Sequence, residues 1–190
     1  MLYQKIVIPD YEIKQRELID LVDGKFKDQS VWAVYDPPKE EMAERCPSLY
    51  SYIIEKSKLN IRFFRIYSTP ANGSLNPHVD GGAIERSPIG LNLPILNCDN
   101  SLMKWWDGSN AKIVNGNFGY GNIPACRITN ESELKCIAET EINQPTFVRT
   151  DFIHSVENYN PNPRVLMSVR WVYNKVKGQF FHQVMDYESL

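Results

Sequence analysis

A histidine and an aspartate stand two positions apart in the segment LNPHVDGG, residues 75–82. If this segment is a strand, His78 and Asp80 point to the same face, because side chains alternate between the two faces of a sheet. An imidazole and a carboxylate directed at one point are two of the three ligands in the 2-His-1-carboxylate set, which binds non-haem Fe(II). Gly81 and Gly82 would let the backbone turn away and leave the metal face open. An H-x-D pair is frequent by chance, so a metal site needs a third ligand.

The third ligand has two candidates, because the sequence contains only three histidines. His154 ends the alternating segment PTFVRTDFIH, which is typical of a strand, whereas His182 lies in the C-terminal tail. We favour His154, since a β-sandwich can bring distant strands together, and we expect His182 to be dispensable. A single histidine on a strand is more often an ordinary core or surface residue, so the interpretation depends on what accompanies His154.

Ten residues beyond His154 begins the segment RVLMSVRW, which alternates between two kinds of side chain. One face is wholly apolar and is expected to pack against the N-terminal helices: Val165, Met167, Val169 and Trp171. The opposite face points into the hollow of the sandwich or to solvent: Arg164, Leu166, Ser168 and Arg170. Arginines that face inward need an anionic partner, because an unpaired buried charge is costly. A small dicarboxylate would match the planar fork of arginine.

The combination of H-x-D, a distal histidine and an arginine ten residues later resembles the Fe(II)/2-oxoglutarate-dependent oxygenase superfamily. In particular, HSVENYNPNPRVLMSVRW resembles the same segment of the prolyl and aspartyl/asparaginyl hydroxylase branches. The resemblance covers roughly residues 61–174 and contributes nothing specific for residues 1–60. It implies a mainly β fold with N-terminal helices, whose core is a double-stranded β-helix, that is, a cupin-like jelly roll.

The resemblance also implies a role for individual residues. His78, Asp80 and His154 would be the ligands of Fe(II). Arg164 would bind the C5 carboxylate of the co-substrate 2-oxoglutarate. Arg170 is a rival for that role, and otherwise an outward-facing charge near the end of the barrel. Further co-substrate contacts are expected from three strand positions, each of which is otherwise an ordinary strand residue: Tyr67, Asn92 and Ser168.

The function implied by the resemblance is oxidation of a substrate with Fe(II), 2-oxoglutarate and O₂. Asp80 favours hydroxylation over halogenation, because related halogenases lack this carboxylate ligand. The expected substrate is a protein side chain, such as proline, or a small amino-acid-like metabolite. The alternative is a non-catalytic jelly-roll protein with a binding or structural role. Tight binding of Fe(II) would separate the two interpretations.

The elements that must position these residues divide the chain into a helical flank, residues 1–60, and a jelly-roll core, residues 61–174, within a single domain of residues 1–190. A first helix is expected from Asp10 to Gly24, and a second is expected to begin at Pro47. The predicted apolar face of the first helix consists of Ile13, Leu18, Leu21 and Val22. From residue 61 onward, short β-branched and aromatic segments separated by turn residues predict strands.

Composition limits the classes of function. The chain has 21 basic and 23 acidic residues, a net charge of −2 and no basic run, so we expect no nucleic-acid partner. No apolar run is long enough to cross a bilayer, and no signal peptide is evident, so we expect no membrane partner. The four cysteines lack C-x-x-C spacing and are expected to be free thiols in a reducing cytoplasm. We therefore expect a cytoplasmic enzyme with a small-molecule or peptide substrate, of undetermined oligomeric state.

Overall fold

The computed structural model describes residues 1–26, 30–80, 86–118, 123–172 and 180–189, so the predicted turn at Gly81 and Gly82 lies outside the described residues. The N-terminal elements are β1 (Tyr3–Val7), α1 (Tyr11–Val22), β2 (Ala33–Tyr35), α2 (Lys39–Arg45) and α3 (Pro47–Lys56). The central strands are β3 (Ile61–Thr69), β4 (Ser74–Asp80), β5 (Arg86–Leu96), β6 (Ser101–Trp106), β7 (Ile113–Phe118) and β8 (Ile123–Ile128). The remaining strands are β9 (Cys136–Glu141), β10 (Thr146–Arg149), β11 (His154–Asn158), β12 (Arg164–Val172) and β13 (Glu188–Ser189).

The described strands form two antiparallel sheets. The larger sheet has the order β13-β1-β10-β5-β12-β3-β2, and the smaller has the order β7-β8-β4-β11-β6-β9. Neighbours in each sheet are mostly distant in sequence, as in a jelly roll, where the chain crosses repeatedly between two sheets. Side chains from both sheets line one common cavity. The prediction of a mainly β fold with N-terminal helices is confirmed.

The main hydrophobic core lies between the larger sheet and the helices. The apolar face of β12 contributes Val165, Met167, Val169 and Trp171 to this core, as the sequence predicted. The helices contribute side chains that are fully buried, among them Leu18, Leu49 and Ile53. Burial of each side chain of this size contributes about 1.5–3 kcal/mol. Packing on this face leaves the opposite face of β12 for the interior of the jelly roll.

Helix α1 differs from the prediction in one residue of its buried face. Leu18, Leu21 and Val22 are buried as expected, but Ile13 is 55% exposed, so its assignment to the core was wrong. Lys14 takes the corresponding position, because it precedes Leu18 by four residues and therefore lies on the same face. Its buried aliphatic stem ends in an ammonium group that donates to the carbonyl of Pro9 at 2.6 Å.

The first 60 residues contain strands as well as helices. Helix α3 begins at Pro47 as expected, and α2 is an additional short helix that the sequence analysis did not identify. Strands β1 and β2 belong to the larger sheet. All four cysteines are free thiols. Within the described ranges, no helix is both long and apolar enough to span a membrane.

Candidate metal centre

The backbone ladder of the smaller sheet brings the two sequence-predicted histidines together. Strands β4 and β11 pair antiparallel, and His78 lies directly opposite His154. Side chains at directly opposite positions of an antiparallel pair share one face, and here the two imidazole rings are 4.3 Å apart between centroids. Asp80, two residues beyond His78, points to this same face. The alternation predicted for His78 and Asp80 therefore holds in the folded chain, whereas His154 begins β11 and does not end the strand that the sequence predicted.

The ligand atoms of the three side chains converge. Asp80 Oδ1 lies 3.5 Å from Nε2 of His78 and 3.7 Å from Nε2 of His154. All three ligand atoms lie within 4.8 Å of one another. Both histidines are buried, whereas the Asp80 side chain retains 23% exposure. A single ion can therefore contact all three groups. The remaining histidine of the sequence, His182, is exposed and stacks on Phe180.

Backbone carbonyls fix the orientation of both imidazoles. Nδ1 of His78 lies 2.7 Å from the carbonyl oxygen of Asn76, and Nδ1 of His154 lies 2.9 Å from that of Phe152. Because a carbonyl only accepts hydrogen bonds, each Nδ1 must carry the hydrogen and donate it. Each Nε2 then presents a lone pair toward Asp80, which is the arrangement that metal-binding histidines adopt.

The surroundings favour the protonation states that a metal requires. Burial, together with repulsion from His78, lowers the pKa of His154 to about 3, so this imidazole is neutral near pH 7. Burial alone would raise the pKa of Asp80, but the positive charge of the Arg170 guanidinium keeps it below its usual range. The three side chains thus offer a metal one carboxylate and the Nε2 atoms of two imidazoles. This donor set fits a divalent transition metal, and open coordination positions suit non-haem Fe(II).

The three residues line a cavity between the two sheets. The predicted co-substrate residues line the same cavity: Tyr67, Asn92, Arg164 and Ser168. Arg164 and Arg170 lie six residues apart on β12, a separation of about 20 Å along a strand. Because Arg170 contacts Asp80, Arg164 must lie toward the other end of the cavity. The sequence-predicted residues are therefore all brought together in one place.

Several polar atoms in this cavity have no hydrogen-bond partner among the described residues. These buried atoms are Arg164 Nε, Asn92 Oδ1 and Thr69 Oγ1. Buried polar groups are normally hydrogen-bonded, so a cluster of unpartnered groups in a cavity indicates a polar ligand. Burial also lowers the pKa of Arg164, and the side chain that favours its charged form is the Cys98 thiol rather than a carboxylate. An anionic ligand would supply the missing compensation.

Tyr67 and Ser168 have distinct surroundings in the cavity. Burial and the nearby charge of Asp80 raise the pKa of Tyr67, so its phenol stays protonated and can donate a hydrogen bond. The hydroxyl of Ser168 instead accepts a hydrogen bond from Arg170 Nε at 3.0 Å. Ser168 is therefore engaged within the protein, although the sequence analysis expected it to contact the co-substrate.

Arg170 faces inward, so the interpretation of this residue as an outward-facing charge was wrong. Its side chain is 10% exposed, and Nη2 donates to Asp80 Oδ2 at 2.8 Å. Nothing in the sequence links β12 to Asp80, because the contact crosses between the two sheets. The sequence analysis did not identify Thr69 and Thr150 as residues of the cavity. Thr69 could have been found, because it follows Tyr67 by two residues and strand alternation places Tyr67 and Thr69 on one face.

Comparisons with known proteins identify the fold. No protein-family model matches the sequence, and no curated protein matches it. The crystal structure of the non-heme alpha ketoglutarate dependent carbocyclase SnoK from nogalamycin biosynthesis superposes with a TM-score of 0.56 and 10% identity, covering 90% of this chain and 79% of that chain. The epimerase SnoN in complex with Fe3+, alpha ketoglutarate and nogalamycin RO gives a TM-score of 0.53 and 13% identity, with 99% and 90% covered. AviO1 from Streptomyces viridochromogenes Tue57 superposes with a TM-score of 0.50 and 8% sequence identity, covering 92% of this chain and 90% of that chain.

These comparisons confirm the fold prediction. The chain has the double-stranded β-helix fold that the two nogalamycin enzymes share, over most of the length of each chain. The identities are too low to carry over an activity or a substrate.

Proposed function

We propose that the chain is an Fe(II)- and 2-oxoglutarate-dependent oxygenase. The observation that carries the proposal is the convergence of two imidazoles and one carboxylate, all within 4.8 Å, in a cavity that also contains a buried arginine. The three ligands would be His78, Asp80 and His154. With Fe(II), 2-oxoglutarate and O₂ bound, such a centre supplies oxidative decarboxylation of the keto acid coupled to oxidation of a C–H bond of the substrate.

The residues of the chain have separate tasks in this proposal. The carbonyls of Asn76 and Phe152 keep the Nδ1 hydrogens in place, so that both Nε2 atoms stay available to the metal. Arg164 would bind the C5 carboxylate of 2-oxoglutarate through its guanidinium, and Asn92 would contribute its side-chain amide. Tyr67 would donate a hydrogen bond from its protonated phenol. Arg164, His78 and His154 are buried, which strengthens their polar interactions.

The substrate we propose is a protein side chain, such as proline, or a small amino-acid-like metabolite. The support is the likeness of the His154–Trp171 segment to hydroxylases that act on such groups. Asp80 supports hydroxylation as the outcome, because a carboxylate occupies the position that would otherwise be open to a halide.

The test is formation of succinate from 2-oxoglutarate by the purified chain with Fe(II) under air. Many enzymes of this kind decarboxylate the keto acid slowly without their substrate, so we expect succinate that requires both Fe(II) and O₂ and disappears in Asp80→Ala. NMR detection under air and under nitrogen measures the O₂ requirement. If the chain neither forms succinate nor binds Fe(II), the oxygenase proposal is wrong and the non-catalytic jelly roll takes its place.

A further inference from the structure

The two carboxylate oxygens of Asp80 have different neighbours. Oδ1 faces the Nε2 atoms of His78 and His154 at 3.5 and 3.7 Å. Oδ2 accepts a hydrogen bond from Arg170 Nη2 at 2.8 Å. The carboxylate group is therefore fixed in one orientation, in which only Oδ1 faces the imidazoles.

The other two nitrogens of the Arg170 guanidinium also donate hydrogen bonds within the protein. Nη1 donates to Thr150 Oγ1 at 2.5 Å, and Nε donates to Ser168 Oγ at 3.0 Å. The Thr150 hydroxyl in turn donates to the carbonyl of Pro88 at 3.3 Å. Each guanidinium nitrogen thus has a partner within the protein. Arg164 differs, because its Nε has no partner among the described residues.

A glycine on the neighbouring strand provides the space for the Arg170 guanidinium. Gly90 of β5 lies opposite Arg170 in the antiparallel register. A Cβ atom at Gly90 would lie 2.9 Å from Arg170 Cζ, 3.0 Å from its Nε and 3.1 Å from Ser168 Oγ. The contact with Cζ is too short to form and the other two are tight, so a residue with a Cβ atom at this position would shift the guanidinium.

We propose that Arg170 is a positioning residue that fixes Asp80 for metal binding through Oδ1, rather than a second binding residue for the co-substrate. The inference rests on the proposed function, because it takes Asp80 as a metal ligand. Arg170 extends from the larger sheet to the smaller one and thereby ties the ligand of one sheet to the other. The positive charge of Arg170 repels a divalent cation, so Arg170 can favour metal binding only by orienting the Asp80 carboxylate.

The experiment uses Co(II) as a probe of coordination geometry in the full chain without co-substrate. Arg170→Lys keeps the charge but loses the planar fork, and Gly90→Ala displaces the guanidinium without removing it. We expect both variants to shift the d–d absorption bands of bound Co(II), because Oδ2 becomes free to approach the metal. We also expect Co(II) affinity to fall by about 10–100-fold, as is typical when the partner of a ligand is lost.

The matched control is Arg45→Lys. The Arg45 guanidinium binds the backbone carbonyls of Asp20 and Leu21 at the end of α1, so it tests loss of an arginine fork elsewhere in the fold. This variant should keep the parent Co(II) spectrum and affinity.

The spectrum decides the outcome. If Arg170→Lys and Gly90→Ala both retain the parent bands, the positioning role is wrong even where the affinity falls, whereas the metal centre stands. If the parent chain itself does not bind Co(II), the proposed metal centre fails instead. Should Arg170→Lys not fold, Gly90→Ala and Thr150→Val, which removes the hydroxyl that holds Nη1, decide in its place.

Discussion

Replacing Arg164 with methionine should weaken the binding of 2-oxoglutarate and, at the same time, stabilise the ligand-free protein. Arg164 is 4% exposed, and its Nε has no partner among the described residues. A guanidinium in this state destabilises the folded chain until an anion binds to it. Methionine has a similar length and is apolar, so it should pack beside Leu166 and Met103, which line the same cavity.

The two effects have different magnitudes. Loss of a charge-assisted partner in a buried pair costs about 2–5 kcal/mol. At about 1.4 kcal/mol per tenfold change, the dissociation constant of 2-oxoglutarate should rise by about 30-fold to several thousand-fold. Removal of an unsatisfied buried polar group should add about 1–3 kcal/mol to the free energy of unfolding. For a domain of this size, each kcal/mol corresponds to about 2–4 °C in Tm.

Isothermal titration of 2-oxoglutarate under nitrogen, with Mn(II) in place of iron, measures the first effect. Thermal unfolding of the metal-free protein measures the second. Arg45→Met is the control: it removes hydrogen bonds to backbone carbonyls, so it should lower the free energy of unfolding by about 1 kcal/mol and leave 2-oxoglutarate affinity unchanged. If Arg164→Met binds 2-oxoglutarate within threefold of the parent, Arg164 does not bind the co-substrate; if it destabilises the fold as Arg45→Met does, its guanidinium is not an uncompensated buried charge.

Two further predictions concern other residues of the cavity and the histidines. His154→Ala should abolish stoichiometric Fe(II) binding, whereas His182→Ala, which removes an exposed imidazole, should bind Fe(II) like the parent; equal binding by both variants would place the metal elsewhere. Thr69→Val keeps the shape of the side chain but removes an unpartnered hydroxyl, so it should stabilise the ligand-free protein and weaken 2-oxoglutarate binding by about 2–12-fold, the equivalent of one neutral hydrogen bond. A Thr69→Val chain with parent affinity would show that the hydroxyl does not contact the co-substrate.

The local pattern of the sequence predicted those parts of the site that depend on strand alternation. His78 and Asp80 share a face because they are two residues apart, and the apolar face of β12 packs in the helical core for the same reason. The same alternation put Arg164 on the face of β12 opposite this core, but it left open whether that face pointed inward or to solvent. The role of Arg164 as a co-substrate residue came from the family resemblance alone.

The features that escaped prediction depend on contacts between distant elements. The bond between Arg170 and Asp80 joins two sheets, and no spacing in the sequence encodes which strands face each other. The role of Gly90 in making room for the guanidinium depends on its pairing with Arg170, which the sequence does not show. Ile13 was misplaced because its apolar character outweighed the helical period, which favoured the stem of Lys14.

The antiparallel pairing of His78 with His154 has a consequence for the order in which the protein folds. Six of the described strands, β5 to β10, lie between these two strands in the sequence, so the chain must close a long loop before the pair can form. Proteins dominated by such non-local pairing fold slowly, on a timescale of about milliseconds to seconds. The ability to capture a metal should therefore arise late in refolding, and the rate at which a Co(II) spectrum develops would report completion of the smaller sheet.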